Sequence, residues 1–412
     1  MDSKLNLEER EAKNFRLTGG LIDLKRPIVD KDEATELASL LFGLRVSDQL
    51  QVREFDSYDD RNYYMKGTLT HRPANENTDG ALLQANEDEF VLKILNNLDS
   101  ENLPYVNAQN EMMLYLNARG FNCPVPMQSL KGPYTLLYKS KSSEEKMGNK
   151  EVSYREPLTS MSLRERPFLY DIMGGSLKIR FSNGCCCIRK SLNFCNTFQG
   201  FHHAGIGSLV KREWDLSQLF VLESYITMAS QNERELEVFQ NVYKNFIKEV
   251  IPQLGNLEKH VIHGDLNDDN ILVVPRHNGN GHEIASVLDF GDVSFSYRVF
   301  DIAICMMYMI LLRVKQGDPH KEAIRAVGHL LSGYQSVNSL TELELSLLYW
   351  SVAGRLLQST LIGKCKQSLE PENVYLSQVS KVGFDVLSSY ILITREEVLD
   401  SWLRIGSSQS LS

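Results

Sequence analysis

The stretch VIHGDLNDDNIL, at residues 261–272, constrains this chain more than any other part of it. Two apolar residues precede a His-Gly-Asp tripeptide that ends in Asp265, and a largely polar segment then runs to Asn270 before apolar residues return. A second stretch, VLDFGD, places Asp289 directly after two apolar residues, 24 positions beyond Asp265. Short apolar runs between polar residues are typical of buried strands. Two such strands would bring the side chains of Asp265, Asn270 and Asp289 close together.

These three side chains match the needs of phosphoryl transfer. Asp265 can accept a hydrogen bond from a substrate hydroxyl and orient it, while Asn270 and Asp289 can supply oxygen ligands to Mg²⁺. Either motif alone is common, but the two in this order, each after apolar residues, form a specific combination. Asp268 and Asp269 are predicted to be solvated loop acids. The sequence therefore predicts a kinase for a small molecule, with Mg²⁺ as its cofactor.

Composition and charge limit the other classes of function. With 412 residues, 42% of them hydrophobic and 24% charged, the chain is long enough for two lobes with their own cores. A net charge of -9 without a basic stripe argues against nucleic acid as a partner. The longest apolar run, residues 302–312, is too short to cross a bilayer, so we expect no membrane partner. Seven cysteines and no recognisable signal peptide predict the reducing cytoplasm, and the oligomeric state stays open.

The pattern of predicted elements divides the chain into two lobes. Residues 1–30 are charged and irregular, and we expect a flexible tail there. Strand and helix patterns predict a nucleotide-binding N-lobe at residues 31–138. Helical patterns dominate residues 139–412, which we interpret as a catalytic C-lobe with the metal and substrate sites. Residues 178–192 match neither the helical nor the strand periodicity of apolar residues. They interrupt a continuous helical pattern, which predicts a looped-out insertion.

A lysine and a polar turn are candidates for contacting the nucleotide. Lys93 lies in the strand pattern EFVLKILNN, where a buried ammonium group is costly unless it meets anions. The same alternation fits a half-exposed strand with a solvated lysine. Together with the downstream motif, we favour a lysine that binds the α- and β-phosphates. The turn at residues 55–67 lacks a glycine run, so Ser57, Arg61, Asn62 and backbone amides would bind phosphate there; an ordinary hairpin turn is the alternative.

The motifs HGDLNDDNIL and LDFGD resemble those of the aminoglycoside phosphotransferase family, over about residues 35–400. A closer resemblance to the hydroxylysine kinases is carried by SYDDRNY, FVLKI, QGFHH, YRVFDIAICMMYM and PENVYL. The resemblance implies an α+β, protein-kinase-like two-lobed fold, with an antiparallel sheet in a small N-lobe and a mostly helical C-lobe. It also implies phosphate transfer from GTP, or from ATP, to the 5-hydroxyl of hydroxylysine in the cytoplasm, as a step of lysine degradation.

The resemblance implies the roles given above for the three motif residues, places Lys93 on the nucleotide, and leaves one partner open. A lysine of this kind is expected to have a carboxylate partner on the helix at residues 107–121. Glu111 is the only acid of that helix. Alignment with bacterial aminoglycoside kinases would instead place Gln109 at the partner position.

Two further residues are predicted to support the motif. His263 is expected to pack beneath the loop and to hydrogen-bond the backbone. Asp301 opens a long apolar helix, where it would cap the helix, brace the catalytic loop, or do both.

A substrate with one carboxylate and two amines requires a cationic contact and acidic ones. Arg355, on a predicted helix, could bind the carboxylate through two parallel hydrogen bonds. Asp292, Glu370 or Glu372 could meet the ammonium groups. The alternative for each is a surface or structural charge.

Two other functions compete with this interpretation. One is a kinase of the same fold for another hydroxylated compound, such as an amino alcohol, an aminoglycoside or a sugar. The other is a catalytically silent, kinase-like binding module. The complete set of motif residues argues against the silent module, since such modules usually lose at least one of them.

Overall fold

A computed structural model describes residues 24–55, 57, 59–70, 87–138, 158–164, 198, 200–208, 213–275, 282–369 and 374–409. The chain divides into two compact units. The first unit takes its described residues from 24–164 and 203–208, and the second takes them from 198–202 and 213–409. The predicted insertion at 178–192 lies outside the described residues.

The first unit is built on a seven-stranded sheet in which every pairing is antiparallel, as predicted. Its strands are β1 (Leu44–Val46), β2 (Arg53–Phe55), β3 (Arg61–Leu69), β4 (Asp88–Ile94), β5 (Val125–Met127), β6 (Thr135–Leu137) and β7 (Leu158–Arg164). Their order in the sheet is β1–β3–β4–β7–β5, with β2 beside β3 and β6 beside β7. The sheet continues past residue 138, where the N-lobe predicted from the sequence ends, because β7 pairs with β4, β5 and β6.

The alternation of β4 decides which face of the sheet meets the core. Phe90, Leu92 and Ile94 are fully buried in a cluster that also contains residues of the helix α1 (Lys31–Phe42). Side chains alternate between the faces of a strand, so Lys93 lies on the face away from this cluster. The register pairs Lys93 with Asn62 of β3, and side chains at paired positions share a face.

The segment before α1 is tied to the first unit. Arg26 Nε donates to the carbonyl oxygen of Asp60 at 3.0 Å, and the Tyr63 hydroxyl donates to the carbonyl oxygen of Val29 at 2.6 Å. The Val29 side chain is buried in the core cluster. Residues 24–30, included in the predicted tail, are therefore packed against the sheet. Two helices follow β4 in this unit: α2 (Asn97–Ser100) and α3 (Leu103–Asn117).

The second unit is mostly helical, as predicted. Its central helix, α6 (Arg298–Lys315), is buried on nearly every side, which is the pattern of a core helix rather than a surface helix. No helix in the described ranges of the chain has the length and apolar character needed to span a membrane. The helices are α4 (Glu223–Ala229), α5 (Glu233–Glu249), α6 (Arg298–Lys315), α7 (His320–Ala326), α8 (Gly328–Gln335), α9 (Glu342–Leu369), α10 (Val374–Tyr390) and α11 (Arg395–Gln409).

Two antiparallel strand pairs in this unit hold the predicted motif. One joins β8 (Lys259–Ile262) to β11 (Ser294–Tyr297), and the other joins β9 (Ile271–Pro275) to β10 (His282–Val287). The loop that contains the first motif runs from the end of β8 to the start of β9. The second motif follows β10 and leads into β11. The two pairs thus bring both motifs to the same region of the second unit.

Candidate active site

His263 is a buried residue that hydrogen-bonds the backbone of the loop containing Asp265. Its ring is fully buried, with Nε2 3.0 Å from the carbonyl oxygen of Leu288, while Nδ1 accepts a hydrogen bond from the Asp265 amide at 3.3 Å. Nε2 therefore carries the proton of a neutral ring. Phe198 and Phe290 lie against the ring, and burial lowers the pKa of His263. The predicted packing role of His263 is confirmed.

The side chain of Asp265 is held by two amides of its own loop. Asn267 Nδ2 donates to Asp265 Oδ2 at 2.8 Å, and Asn270 Nδ2 donates to the same oxygen at 3.1 Å and to the Asp265 carbonyl at 2.9 Å. Asn267 Oδ1 in turn accepts from the amides of Asp269 and Asn270. The role of Asn267 was not predicted from the sequence. The sequence feature that could have indicated it is an asparagine two positions after an aspartate in a turn, where asparagine side chains often hydrogen-bond the nearby backbone.

Asn270 and Asp289 meet at one end of the β9–β10 hairpin. The amide of Leu288 donates to the Asn270 carbonyl at 2.8 Å, and Asp289 is the next residue of the chain after this hydrogen bond. Asp289 has a φ of 54°, a left-handed conformation that is uncommon outside glycine, and its carboxylate accepts from the Gly291 amide at 3.1 Å. Backbone conformations of this kind recur at functional sites.

The donor set at this hairpin end fits Mg²⁺. The nitrogen of the Asn270 amide faces Asp265, so its oxygen is directed elsewhere, while Asp289 contributes an exposed carboxylate. Mg²⁺ prefers oxygen ligands and usually binds one or two carboxylates, with phosphates and water completing the set. Across the described ranges, no three or more His, Cys, Asp or Glu side chains are grouped for metal binding.

Asp301 braces the loop through Gly264. Its buried Oδ1 accepts from the Gly264 amide at 3.0 Å. Asp301 is the fourth residue of α6, and the capping position is Tyr297, so the predicted capping role is wrong and the bracing role is confirmed. Gly264 has a φ of 81°, and a Cβ there would overlap the carbonyl oxygen of Asp292. Both facts require glycine between the buried histidine and the candidate base.

Arg355 occupies a different place from the one predicted for a substrate ligand. It is 1% exposed, and its Nη2 donates to Asp265 Oδ1 at 3.0 Å and to the Tyr308 hydroxyl at 3.2 Å. Its Nη1 donates to Gln358 Oε1 at 2.8 Å and to the Trp214 carbonyl at 3.3 Å. A substrate carboxylate needs an accessible edge of the guanidinium, and this one is enclosed. The predicted contact with the substrate carboxylate is therefore corrected to a contact with the candidate base.

The charge on Arg355 is stabilised by its oxygen partners. Burial opposes the charge, but the oxygens of Tyr308, Asp265 and Asp292 outweigh it and raise the pKa of Arg355 above its ordinary value. Of the acids predicted to meet substrate amines, Asp292 is half-buried in this region. Glu370 and Glu372 lie outside the described residues.

In the first unit, Lys93 has a carboxylate partner that was not predicted. Its Nζ lies 3.1 Å from Asp60 Oδ2, and Asp60 Oδ1 accepts from both the amide and the side-chain nitrogen of Asn96, each at 2.8 Å. Asp60 is 6% exposed. The β3–β4 register explains the pairing, because it places the turn before β3 beside the end of β4.

The structure describes both candidate partners on α3. Glu111 is more than half exposed, and its carboxylate lies 3.5 Å from Nε2 of His203. Gln109 is buried. The carboxylate that pairs with Lys93 is that of Asp60, in the polar turn.

The residues predicted to bind phosphate are near this pair but differ in availability. Ser57 Oγ accepts from the Asp60 amide at 3.3 Å. Arg61 Nη1 donates to both carboxylate oxygens of Glu54, at 2.8 and 3.0 Å, so this guanidinium already has an anionic partner. Asn62 lies opposite the lysine in the sheet register.

Comparison with known proteins identifies the family. The model of a phosphotransferase enzyme family matches residues 70–338. The chain is 30% identical over 391 residues to hydroxylysine kinase of Bos taurus, which covers 93% of this chain and 95% of that protein. It is also 30% identical over 390 residues to hydroxylysine kinase of Mus musculus, with the same coverage. Among solved structures, an amicoumacin kinase is similar with a TM-score of 0.56 at 15% identity, over 92% of this chain and 96% of the other.

These matches confirm two predictions. The fold shared with the amicoumacin kinase confirms the protein-kinase-like architecture. The family match and the relatives confirm a phosphotransferase with an alcohol group as acceptor. The chain belongs to the phosphotransferase enzyme family, in the group that contains the hydroxylysine kinases.

Proposed function

We propose that this protein transfers the γ-phosphate of GTP to the 5-hydroxyl of 5-hydroxy-L-lysine in the cytoplasm, as a step of lysine degradation. The observation that carries the proposal is the similarity to hydroxylysine kinases along 93% of the chain and 95% of the bovine relative. Similarity over nearly the whole length of both proteins extends well beyond the two motifs. ATP is the alternative donor.

Asp265 is the proposed base. A phosphoryl transition state is loose, so catalysis depends mainly on holding the attacking hydroxyl in line with the phosphate. Hydrogen bonds from Asn267 and Asn270 to one oxygen of Asp265 support such a positioning role. The 19% exposure of its side chain leaves room for a hydroxyl to approach.

Asn270 and Asp289 would hold Mg²⁺, which when bound offsets negative charge on the phosphate oxygens. Lys93, oriented by Asp60, is proposed to contact the phosphates, with Ser57 and Asn62 beside it. Arg61 is proposed to hold the turn through Glu54, although a nucleotide phosphate could compete for it.

The proposed contacts of the acceptor amines are acidic side chains. Asp292 is proposed to meet an ammonium group of the acceptor, and Glu372 remains a candidate from its sequence position. The burial of Arg355 favours a second candidate function, a kinase for an amino alcohol without a carboxylate. Such an acceptor would not require the cationic contact that Arg355 was predicted to supply.

The test is a panel of acceptors with purified protein, Mg²⁺, and either GTP or ATP. The panel contains 5-hydroxy-L-lysine, its decarboxylated diamine alcohol, homoserine, and L-lysine as a control without a hydroxyl. Phosphorylated products are identified by mass spectrometry and phosphorus NMR. Turnover of 5-hydroxy-L-lysine, lost in Asp265→Asn, is expected. Turnover of the diamine alcohol alone would favour the second candidate, and unchanged turnover in Asp265→Asn would remove Asp265 as the base.

A further inference from the structure

We infer that Arg355, on helix α9, is a positioning residue that fixes the orientation of the Asp265 carboxylate. The inference rests on the proposed role of Asp265 in phosphoryl transfer. It assigns Arg355 no contact with the acceptor or the nucleotide.

The burial of Arg355 is the first support. It is 1% exposed within α9, where Val352, Leu356 and Leu357 around it are fully buried. A charge in such surroundings must be paired with oxygens, since an uncompensated buried charge is strongly destabilising. Asp265 supplies the anionic partner from 90 positions away in the sequence.

The contacts fix the guanidinium in one orientation. Each Nη nitrogen has two hydrogens, and each has two oxygen partners. The guanidinium carbon lies 4.9 Å from the ring centre of Trp214 and 5.5 Å from that of Tyr308. Gln358, which accepts from Arg355, is itself held by its donation to the Glu213 carbonyl at 2.8 Å. Rotation of this group would break several contacts at once.

Arg355 completes the restraint of the carboxylate. The two loop amides of Asn267 and Asn270 bond Oδ2 of Asp265, whereas Arg355 bonds Oδ1. The plane of the carboxylate is therefore fixed through both of its oxygens. Without Arg355, the loop amides would still hold Oδ2, but Oδ1 would lose this hydrogen bond and the carboxylate would rotate more easily about Oδ2. Misplacement of a reacting group by about 1 Å can cost about 100-fold in rate.

The test separates positioning from substrate binding by using acceptors with and without a carboxylate. Arg355→Met removes the hydrogen-bond donors of the guanidinium at a similar side-chain length. Arg355→Lys keeps the positive charge but lacks the two Nη groups that bond separate partners. We expect kcat of Arg355→Met to fall by about 100-fold with hydroxylysine and with its decarboxylated analogue alike, with the acceptor KM of each changed less than about 3-fold. Arg355→Lys should recover part of kcat. A rise in KM for hydroxylysine alone would overturn the inference, because that result indicates a substrate carboxylate ligand.

A double variant tests whether Arg355 acts through Asp265. In the Asp265→Asn background, Arg355→Met should lower the residual kcat no further, since residues that act as a unit are non-additive. A full further loss would contradict the inference. The control is Arg298→Met, which removes a half-buried guanidinium that is also paired with a carboxylate, donating to Glu344 at 2.6 and 2.8 Å. It should lower the melting temperature without a comparable loss of kcat.

A second variant and a second acceptor cover the cases in which Arg355→Met does not fold or the wild-type enzyme does not phosphorylate hydroxylysine. If Arg355→Met does not fold, Tyr308→Phe, which removes one partner of the same Nη2, should lower kcat in the same direction and by a smaller factor; an unchanged kcat would then count against the inference. If the wild-type enzyme does not phosphorylate hydroxylysine, the proposed function fails. The comparison is then made with whichever acceptor of the panel it does phosphorylate, so the two failures are distinguishable.

Discussion

Lys93 Nζ lies 3.1 Å from Asp60 Oδ2, so the lysine proposed to bind the nucleotide is paired with an acid of the neighbouring turn. Asp60 is itself fixed by two hydrogen bonds from Asn96. Asn96 is fully buried and also caps α2 through its side-chain oxygen. The position of the ammonium group thus depends on the turn before β3 and on the start of a helix after β4.

Substitution of this acid should weaken nucleotide binding. Asp60→Asn keeps the size of the side chain but removes the charge that orients Lys93, so we expect the KM for the donor to rise by about 10-fold, equivalent to about 1.4 kcal/mol. The measurement is donor KM together with binding of a fluorescent nucleotide. Glu111→Gln is the control, since Glu111 lies beside His203 and is largely exposed. An effect in Glu111→Gln but none in Asp60→Asn would return the partner role to α3.

Substitution of the two proposed metal ligands should change the Mg²⁺ dependence of activity, whereas substitution of a neighbouring acid should not. Asp289→Asn and Asn270→Ala each remove or weaken one proposed oxygen ligand, so we expect the Mg²⁺ concentration for half-maximal activity to rise by at least about 10-fold. The measurement is a Mg²⁺ titration of kcat at saturating nucleotide. Asp269→Asn, an exposed acid of the same loop, is the control and should leave the titration unchanged. Equal shifts in all three variants would indicate a general charge effect instead of ligation.

Gly264 should be irreplaceable for two reasons, which can be measured separately. Gly264→Ala places a Cβ at a positive φ and against the carbonyl of Asp292, so we expect loss of more than about 2 kcal/mol in the free energy of unfolding and loss of activity. Gly317→Ala is the matched control in the same unit, with a φ of 97° and open space around the added Cβ. It should cost about 1 kcal/mol and spare activity. Equal losses in thermal or denaturant unfolding would show that the close approach to Asp292 is unimportant.

Burial of neutral His263 predicts a pH dependence of stability. Its folded-state pKa is lowered, so below the ordinary pKa the unfolded chain binds a proton that the folded protein does not. The free energy of unfolding should therefore fall as the pH drops below about 6.5, by up to about 1.4 kcal/mol per pH unit, until the folded protein also takes up the proton. His263→Gln, which cannot titrate, should show a smaller slope over the same range in denaturant unfolding. An identical slope would assign the pH dependence to other groups.

The local sequence was sufficient to predict the loop that contains Asp265 and Asn270. It was insufficient to predict the distant residue that bonds the Asp265 side chain. Asp265, Asn270 and Asp289 could be placed together because each lies within a few residues of a short strand, and all these strands belong to the single stretch 259–297. Arg355 could not, since its contact with Asp265 depends on how a long helix packs beside a loop 90 positions earlier. A lone arginine on an apolar helix carries no mark that distinguishes a substrate ligand from a buried support.

The partner of Lys93 shows the same limit within the sheet. The strand containing Lys93 was recognised from its alternation, but its partner depended on the antiparallel register of β3 and β4. Register is determined by the packing of a whole face and by the connection between the strands. Asp301 illustrates a smaller shift: its bracing role was predicted, but the helix begins at Arg298, four residues earlier than a capping role for Asp301 would require.

The anchoring of Asp265 to Arg355 has a consequence for how the enzyme can change. Arg355 and Tyr308 lie on α9 and α6, so the orientation of Asp265, the proposed base, would be set by two long helices and would not depend on the compound being phosphorylated. Substitutions that alter acceptor range can be confined to groups that contact the acceptor. Variants selected for new alcohols would then keep the same line of attack on the phosphate, provided that Arg355 and its partners are left unchanged.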